Sequence, residues 1–405
     1  MTTQPPISIR AGGLRLQLDG TSVAGPVLVV AVVLGFLIGG RLLVYHGNPT
    51  GLIQFGQRFV QYTHPPRGAI VASPTGYDGQ FFWTAAQDPL LLHAGTIANL
   101  DRAGGAYRLQ RMAYPALAYI LALGQPQAIP WTLLIVNVLA ILGITTGFAV
   151  YARSRGWSTW WALAIGLQPG FLLATMRDLS DPVATASMLG GLLMWQLRRS
   201  WWAAALLVIA VLAREPMTLA VVAIAVDAVA RWWRSRREPG AFWRAARNAW
   251  PAVVVPAAAF LAWQVHIHAR YGGGAASTAD TPDLSILRDY VVEAQRTVDH
   301  DSALGAAWDL IYLILILAGM GCAIALLRHS ITAARAAALL FALNTTVVLF
   351  GDQWGVSRYG LPVFAALLLG GLDQRPRFAA SRVAISISVV AAAMTVFVSL
   401  AIPGA

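Results

Sequence analysis

Apolar runs close to the length of a bilayer crossing recur along this chain, separated by short polar breaks. A helix needs about 20 apolar residues to span the hydrocarbon core. Runs near 23–45, 130–152, 158–176, 182–197, 201–214, 216–232, 249–268, 306–328, 332–350, 356–372 and 381–401 meet or approach that length. The pattern predicts an all-α, polytopic transmembrane helix bundle of about 11 spans, forming one integral membrane domain over 1–405. The runs at 201–214 and 216–232 are short, and predict tilted helices, helices longer than the runs, or a re-entrant pair. Met112 to Gly124 is also apolar but only about 13 residues long, and Gln125, Pro126 and Pro130 break it. It predicts an interfacial or re-entrant helix, since a full crossing would invert every later loop. No tandem repeat or low-complexity segment stands out.

Composition supports the membrane class. The chain is 57% hydrophobic and 12% charged, with a mean hydropathy of +0.61, whereas soluble domains carry about 25% charged residues. All 29 basic residues are arginine, and the formal charge is +11. That excess would suit nucleic acid, but its distribution points to membrane orientation instead. With the N-terminus inside, the inner segments hold 17 arginines and 4 acids, and the outer segments 12 arginines and 14 acids. This is the positive-inside pattern. It predicts a multi-pass protein of the cytoplasmic membrane, with a cytoplasmic tail at 1–22 and long outer loops at 46–129 and 269–305. The polar tail, with Arg10 and Arg15, does not read as a cleavable signal peptide. A single cysteine, Cys322, excludes an intrachain disulfide. Arg231 to Arg247, rich in tryptophan and arginine, suits a helix lying on the anionic inner leaflet or an ordinary loop with aromatic anchors.

The residues able to carry chemistry gather on the outer side. Gly76-Tyr77-Asp78-Gly79-Gln80-Phe81-Phe82 places one carboxylate between two glycines, beside aromatic residues. Asp78 can be a turn residue. It can equally be a general base or a ligand of a divalent cation such as magnesium or manganese. On the second reading the glycines admit substrate, and Tyr77, Gln80, Phe81, Phe82 and Trp83 wall it. Asp88, ahead of Pro89, reads as a helix stop or as a functional carboxylate. Arg177, Asp178 and Asp181 form another group. Asp181 before Pro182 suits a helix start, whereas Asp178 sits where a helix dipole disfavours an acid. Arg214-Glu215-Pro216 lies between two apolar runs, either as an ion pair of the bundle or lining an outward cavity. Arg358 and Tyr359 begin a late span at a depth comparable to Arg111 and Tyr114. Guanidinium groups there suit a phosphate; a salt bridge to Asp352 or a headgroup anchor is the structural alternative. His266 and His268, two apart on a helix, point to nearly opposite sides and make a poor metal pair. No glycine-rich phosphate loop, zinc spacing or nucleophile elbow is present.

This order of features resembles the polytopic glycosyltransferases of the GT-C superfamily: one span, an outer loop with an early Asp, a short acidic loop after the third span, and a late Arg-Tyr. Tyr77-Asp78-Gly79-Gln80-Phe81-Phe82 is similar to the W/Y-D-G/S-x-x-F/Y signature of the mannosyltransferase branch that includes the GPI-anchor enzyme PIG-V and its bacterial relatives. Ser357-Arg358-Tyr359-Gly360-Leu361-Pro362 is similar to an R-Y-x-x-P ending common in these bundles. The resemblance implies inverting transfer of a sugar from a polyprenyl-phosphate donor to a lipid, glycan or protein acceptor on the outer face. In its terms Asp78 is the base or metal ligand, Asp178 or Asp181 the second acid, and Arg358, with Arg111 and Arg214, binds the donor phosphate. Tyr77, Gln80, Phe81 and Tyr359 would line the substrate site. The chain departs from other branches: Gly79 rather than Glu follows Asp78, and there is no WWD motif or soluble C-terminal domain. Nucleic acid is not an expected partner. The alternative is a polytopic transporter or flippase for a lipid or small solute.

Overall fold

A computed structural model describes residues 7–11, 14–18, 22–103, 106–271, 303–348 and 356–371. The fold is mainly helical. Two short strands, β1 (Ile7–Ala11) and β2 (Leu14–Leu18), pair antiparallel ahead of the first helix. Four helical stretches, Ala24–Val44, Pro126–Ser154, Glu215–Ser235 and Ala241–Arg270, are long and apolar enough to cross a membrane.

The first of these, α1 (Ala24–Val44), shows the lipid-facing logic. Pro26, Val30, Leu34, Leu37 and Arg41 form one buried stripe, while Val32 and Phe36 stay 61% and 65% exposed. Apolar side chains on both faces of such a helix need an apolar medium on the outer one. The first long loop then folds as small elements: α2 (Thr50–Ile53), β3 (Phe55–Gly56), α3 (Val60–Thr63), β4 (Val71–Ser73), α4 (Gly79–Ala86) and α5 (Ala94–Arg102). β3 and β4 pair in parallel. The apolar segment at 112–124 forms α6 (Ala113–Leu121), too short to span, as its flanking polar and proline residues predict.

The bundle proper starts with α7 (Ile129–Ser154). The predicted span at 158–176 is not one helix. It forms a 3-10 turn at Thr159–Ala162, then α8 (Leu163–Gly166), a break, and α9 (Pro169–Thr175). The cause is Pro169, which has no N–H to continue the α8 ladder and holds Gln168 extended, with ψ at 133°. α10 (Asp181–Gln196) follows and is buried nearly all round, packed against α7, α9 and α11 (Ser200–Ala213). The run at 216–232 enters through a 3-10 turn at Glu215–Met217 and continues as α12 (Thr218–Ser235).

Arg231 to Arg247 is not a separate surface helix. Arg231 to Ser235 closes α12, Gly240 turns the chain at φ 70°, and Ala241 opens the long α13 (Ala241–Tyr271). The later runs form α14 (Ala303–His329), α15 (Ala333–Val348) and α16 (Val356–Gly371). The run at 381–401 and most of the second long loop, 272–302, lie outside the described residues.

Candidate functional site

Asp78 is positioned by close backbone packing. Gly76 has φ 66°, and a Cβ there would sit 2.4 Å from the Gln54 carbonyl oxygen. At Gly79 a Cβ would lie 2.6 Å from both the Ile53 and Arg177 carbonyl oxygens. These glycines therefore press the Asp78 loop against α2 and against the Arg177 loop. The expectation that they admit substrate to the backbone is corrected: their open sides are filled by this chain itself. Gln80 is corrected likewise. It is 1% exposed, accepts from the Gly56 N–H at 3.1 Å and donates to the Thr75 carbonyl at 3.0 Å. It braces the loop and does not wall a site. Phe82 and Trp83 also turn into the core, Phe82 edge-on to Tyr114 and the Trp83 indole donating to the Thr63 carbonyl.

Nor is Asp78 isolated. It is 17% exposed, bonds Arg108, and lies 4.0 Å from an Arg111 nitrogen. Arg108 lies in a 3-10 turn, Ala106–Gln110, and Arg111 follows it; α13 holds this turn through the Trp263 indole on the Leu109 carbonyl and Gln264 on Gln110. The Arg108 guanidinium also covers the Phe81 ring at 4.3 Å. Arg111 grips Glu215 with two bonds of 2.9 and 2.6 Å. Burial works against the Arg111 cation, but Glu215, helped by Tyr107 and Asp78, holds it above an ordinary arginine.

The second acidic group meets the first. Asp181, the first residue of α10, bonds Arg214 at the end of α11. The pairs Arg214–Asp181 and Arg111–Glu215 thus join separate chain segments, so Arg214 and Glu215 are ion-paired, and the same residues also line a cavity. Asp178 ends α9 with φ 45°, the left-handed conformation that helix ends favour and Asp tolerates. Its side chain is fully buried, and neither carboxylate oxygen has a hydrogen-bond partner among the described residues. Burial pushes its carboxyl well above the usual carboxylate range. Arg177 is 7% exposed, stacks at 4.4 Å over the Tyr77 ring, and is in no ion pair among the described residues. Beneath them, the Asn137 amide donates to the Tyr114 hydroxyl and the Leu179 carbonyl, each at 3.0 Å, tying this loop to α7 and α6.

A cavity of about 170 Å³ opens beside these pairs, lined by Arg111, Arg214, Glu215, Asn344, Thr345 and Pro362 among others. Arg358 and Tyr359 lie in α16, one turn before Pro362, but their side chains lie outside the described residues. Asp88 stands apart. Its carboxylate accepts from the Leu92 and His93 N–H groups, each at 2.9 Å; burial opposes its charge, yet these bonds hold it below the usual range. It staples a turn, as a helix stop would. His266 contacts the Leu90 carbonyl at 2.8 Å and stacks on Trp263.

The donor set does not fit the divalent cation expected at Asp78. Among the described residues no three His, Cys, Asp or Glu side chains are grouped to hold a metal, and two guanidinium groups already face Asp78. Hard cations of this kind want several oxygen donors together.

Sequence reasoning did not single out Arg108; it grouped Arg177 with Asp178 and Asp181 and read Glu215 as an ion-pair or cavity-lining residue, without naming their partners. The signal for Arg108 was its spacing: two arginines three apart in the same outer loop as Asp78. No protein-family model, curated protein or solved structure matches the chain.

Proposed function

We propose that this protein is a membrane glycosyltransferase of GT-C type that moves a sugar from a polyprenyl-phosphate donor to an acceptor on the outer face of the cytoplasmic membrane. One observation carries the reading. Four carboxylates (Asp78, Asp178, Asp181, Glu215) and four arginines (Arg108, Arg111, Arg177, Arg214) converge from four chain segments at one end of an apolar bundle. Buried charge is costly in such a protein and tends to persist where function needs it.

In the proposed reaction an acceptor hydroxyl attacks C1 of the donor sugar while Asp78 takes the hydroxyl proton. The C1–O bond to phosphate breaks, and polyprenyl phosphate leaves with the electron pair, inverting C1. The arginines stabilise that leaving dianion. Arg111 and Arg214 reach it only by exchanging Glu215 and Asp181, whereas Arg177 has no carboxylate to give up among the described residues. Arg108 links the two events: a phosphate that draws it from Asp78 frees the base. Arg358 is assigned to the same phosphate role by its sequence motif, its side chain lying outside the described residues.

The test is transfer by the full chain in proteoliposomes, with a panel of polyprenyl-phosphate sugars. Asp78→Asn should lower turnover by about 10²- to 10⁴-fold with donor binding retained. Near-normal turnover in that variant would remove Asp78 as base.

A second reading, a transporter for a lipid or small solute, has one observation in its favour, the break between α8 and α9. Interrupted helices commonly build transporter sites. Solute movement across vesicles without covalent transfer would favour it.

A further inference from the structure

At the opposite, arginine-rich end of the bundle, a cleft of about 300 Å³ lies between the α10–α11 turn, the last turns of α12 and the first turns of α13. Arg198, Arg231, Arg244, Ser235, Trp195 and Asn248 are among its walls. The cleft has a rigid floor. Asp227, 1% exposed, accepts the Trp195 indole N–H at 2.6 Å and two Arg231 bonds at 3.0 and 2.6 Å. One buried carboxylate thereby fixes an indole and a guanidinium, and Arg231 stacks 5.1 Å over that indole.

The other two cations are less committed. Arg198 holds φ 60°, a conformation a side chain rarely adopts, at the turn after α10. It is exposed and makes no ion pair among the described residues. Partial burial and the nearby Arg231 charge work against its cation, and the Asp227 carboxylate, already committed to Trp195 and Arg231, offsets them only in part. Among the described residues Arg244 pairs with Glu238, which also lines the cleft, at 2.7 Å with both side chains over 60% exposed, a pair worth little in water. Arg244 also sits in the first turn of α13, where the helix dipole disfavours a cation and favours an anion.

Aromatic residues set the depth of the cleft. Trp201, Trp202, Trp233, Phe242, Trp243 and Trp250 are all exposed around it, and exposed indoles in membrane proteins concentrate at the headgroup level.

We propose that this cleft binds the phosphate of an anionic membrane lipid, held by Arg198 and Arg244 against the fixed Arg231. The site is independent of the transfer reaction proposed above and of which side of the membrane this end faces. Basic pockets between spanning helices are suited to such headgroups.

The test is native mass spectrometry of the full chain in detergent, titrated with phosphatidylglycerol and phosphatidylcholine. The wild type should retain phosphatidylglycerol at least about tenfold better than phosphatidylcholine. The double variant Arg198→Gln/Arg244→Gln should lose at least about tenfold of that affinity, the scale of one charged hydrogen bond. Its melting temperature without lipid should match the wild type, because both side chains are exposed. Arg234→Gln/Arg236→Gln removes two exposed arginines outside the cleft lining and should bind as the wild type does. Three results would each overturn the proposal: unchanged lipid binding in the cleft variant, an equal loss in the control variant, or displacement of the lipid by millimolar inorganic phosphate.

Discussion

Asp178 is the residue at which local preference and environment pull hardest against each other. Its backbone fits a helix end, but its carboxyl is buried without a partner, and a buried unsatisfied polar group costs about 1–3 kcal/mol. Burial raises its folded-state pKa above the unfolded value of about 4. Stability from this group is therefore fully present below about pH 4 and declines as pH rises toward the folded pKa. Asp178→Asn removes that dependence. Thermal unfolding of wild type and variant between pH 4 and 8 should show the variant gaining relative stability as pH rises. A widening deficit of the variant would mean that Asp178 is ionised and paired. Asp88 shows the opposite case. Its two backbone N–H donors make it a loop staple that keeps its charge, and nothing in its surroundings recruits it to chemistry.

Among the elements, α7 and the short α6 decide where the acidic loop sits. Asn137, fully buried in α7, is bonded to both Tyr114 of α6 and Leu179 beside Asp178. Asn137→Leu should lower the unfolding free energy by about 1–3 kcal/mol, because the Leu179 carbonyl and Tyr114 hydroxyl lose a donor. It should also lower transfer, by misplacing Asp178 and Arg177. Thr146→Ala is the matched control on the same helix. Among the described residues its hydroxyl bonds just the Leu142 carbonyl one turn back, so transfer should be unchanged. An equal loss of activity in both variants would mean that α7 acts through general stability and not through this contact. The break between α8 and α9 belongs to the same scale: one proline converts a span into two short helices and brings Arg177 and Asp178 under α4.

The whole molecule is polarised, with carboxylate–arginine pairs at one end and the lipid-depth arginine cleft at the other. The arginine asymmetry predicts that the second end is cytoplasmic. Single cysteines placed at Arg236 and His93, both exposed, in a Cys322→Ala background can test it. A membrane-impermeant thiol reagent added outside intact cells should label position 93 and spare 236; the reverse would invert the protein and put the proposed active site inside. The apolar runs, the uneven arginines and the carboxylate motif at Asp78 were legible in the sequence, since each is a local pattern of composition or spacing. So was the short α6, whose prolines and length forbid a span. The pairing of the charges was decided only by the tertiary structure. Arg108 meets Asp78 across 30 positions and Arg111 meets Glu215 across 104, and no local preference encodes such separations. The roles of Gly76, Gly79 and Gln80 were hidden for the same reason: their neighbours are backbone atoms of distant segments, brought within van der Waals range only when the bundle closes.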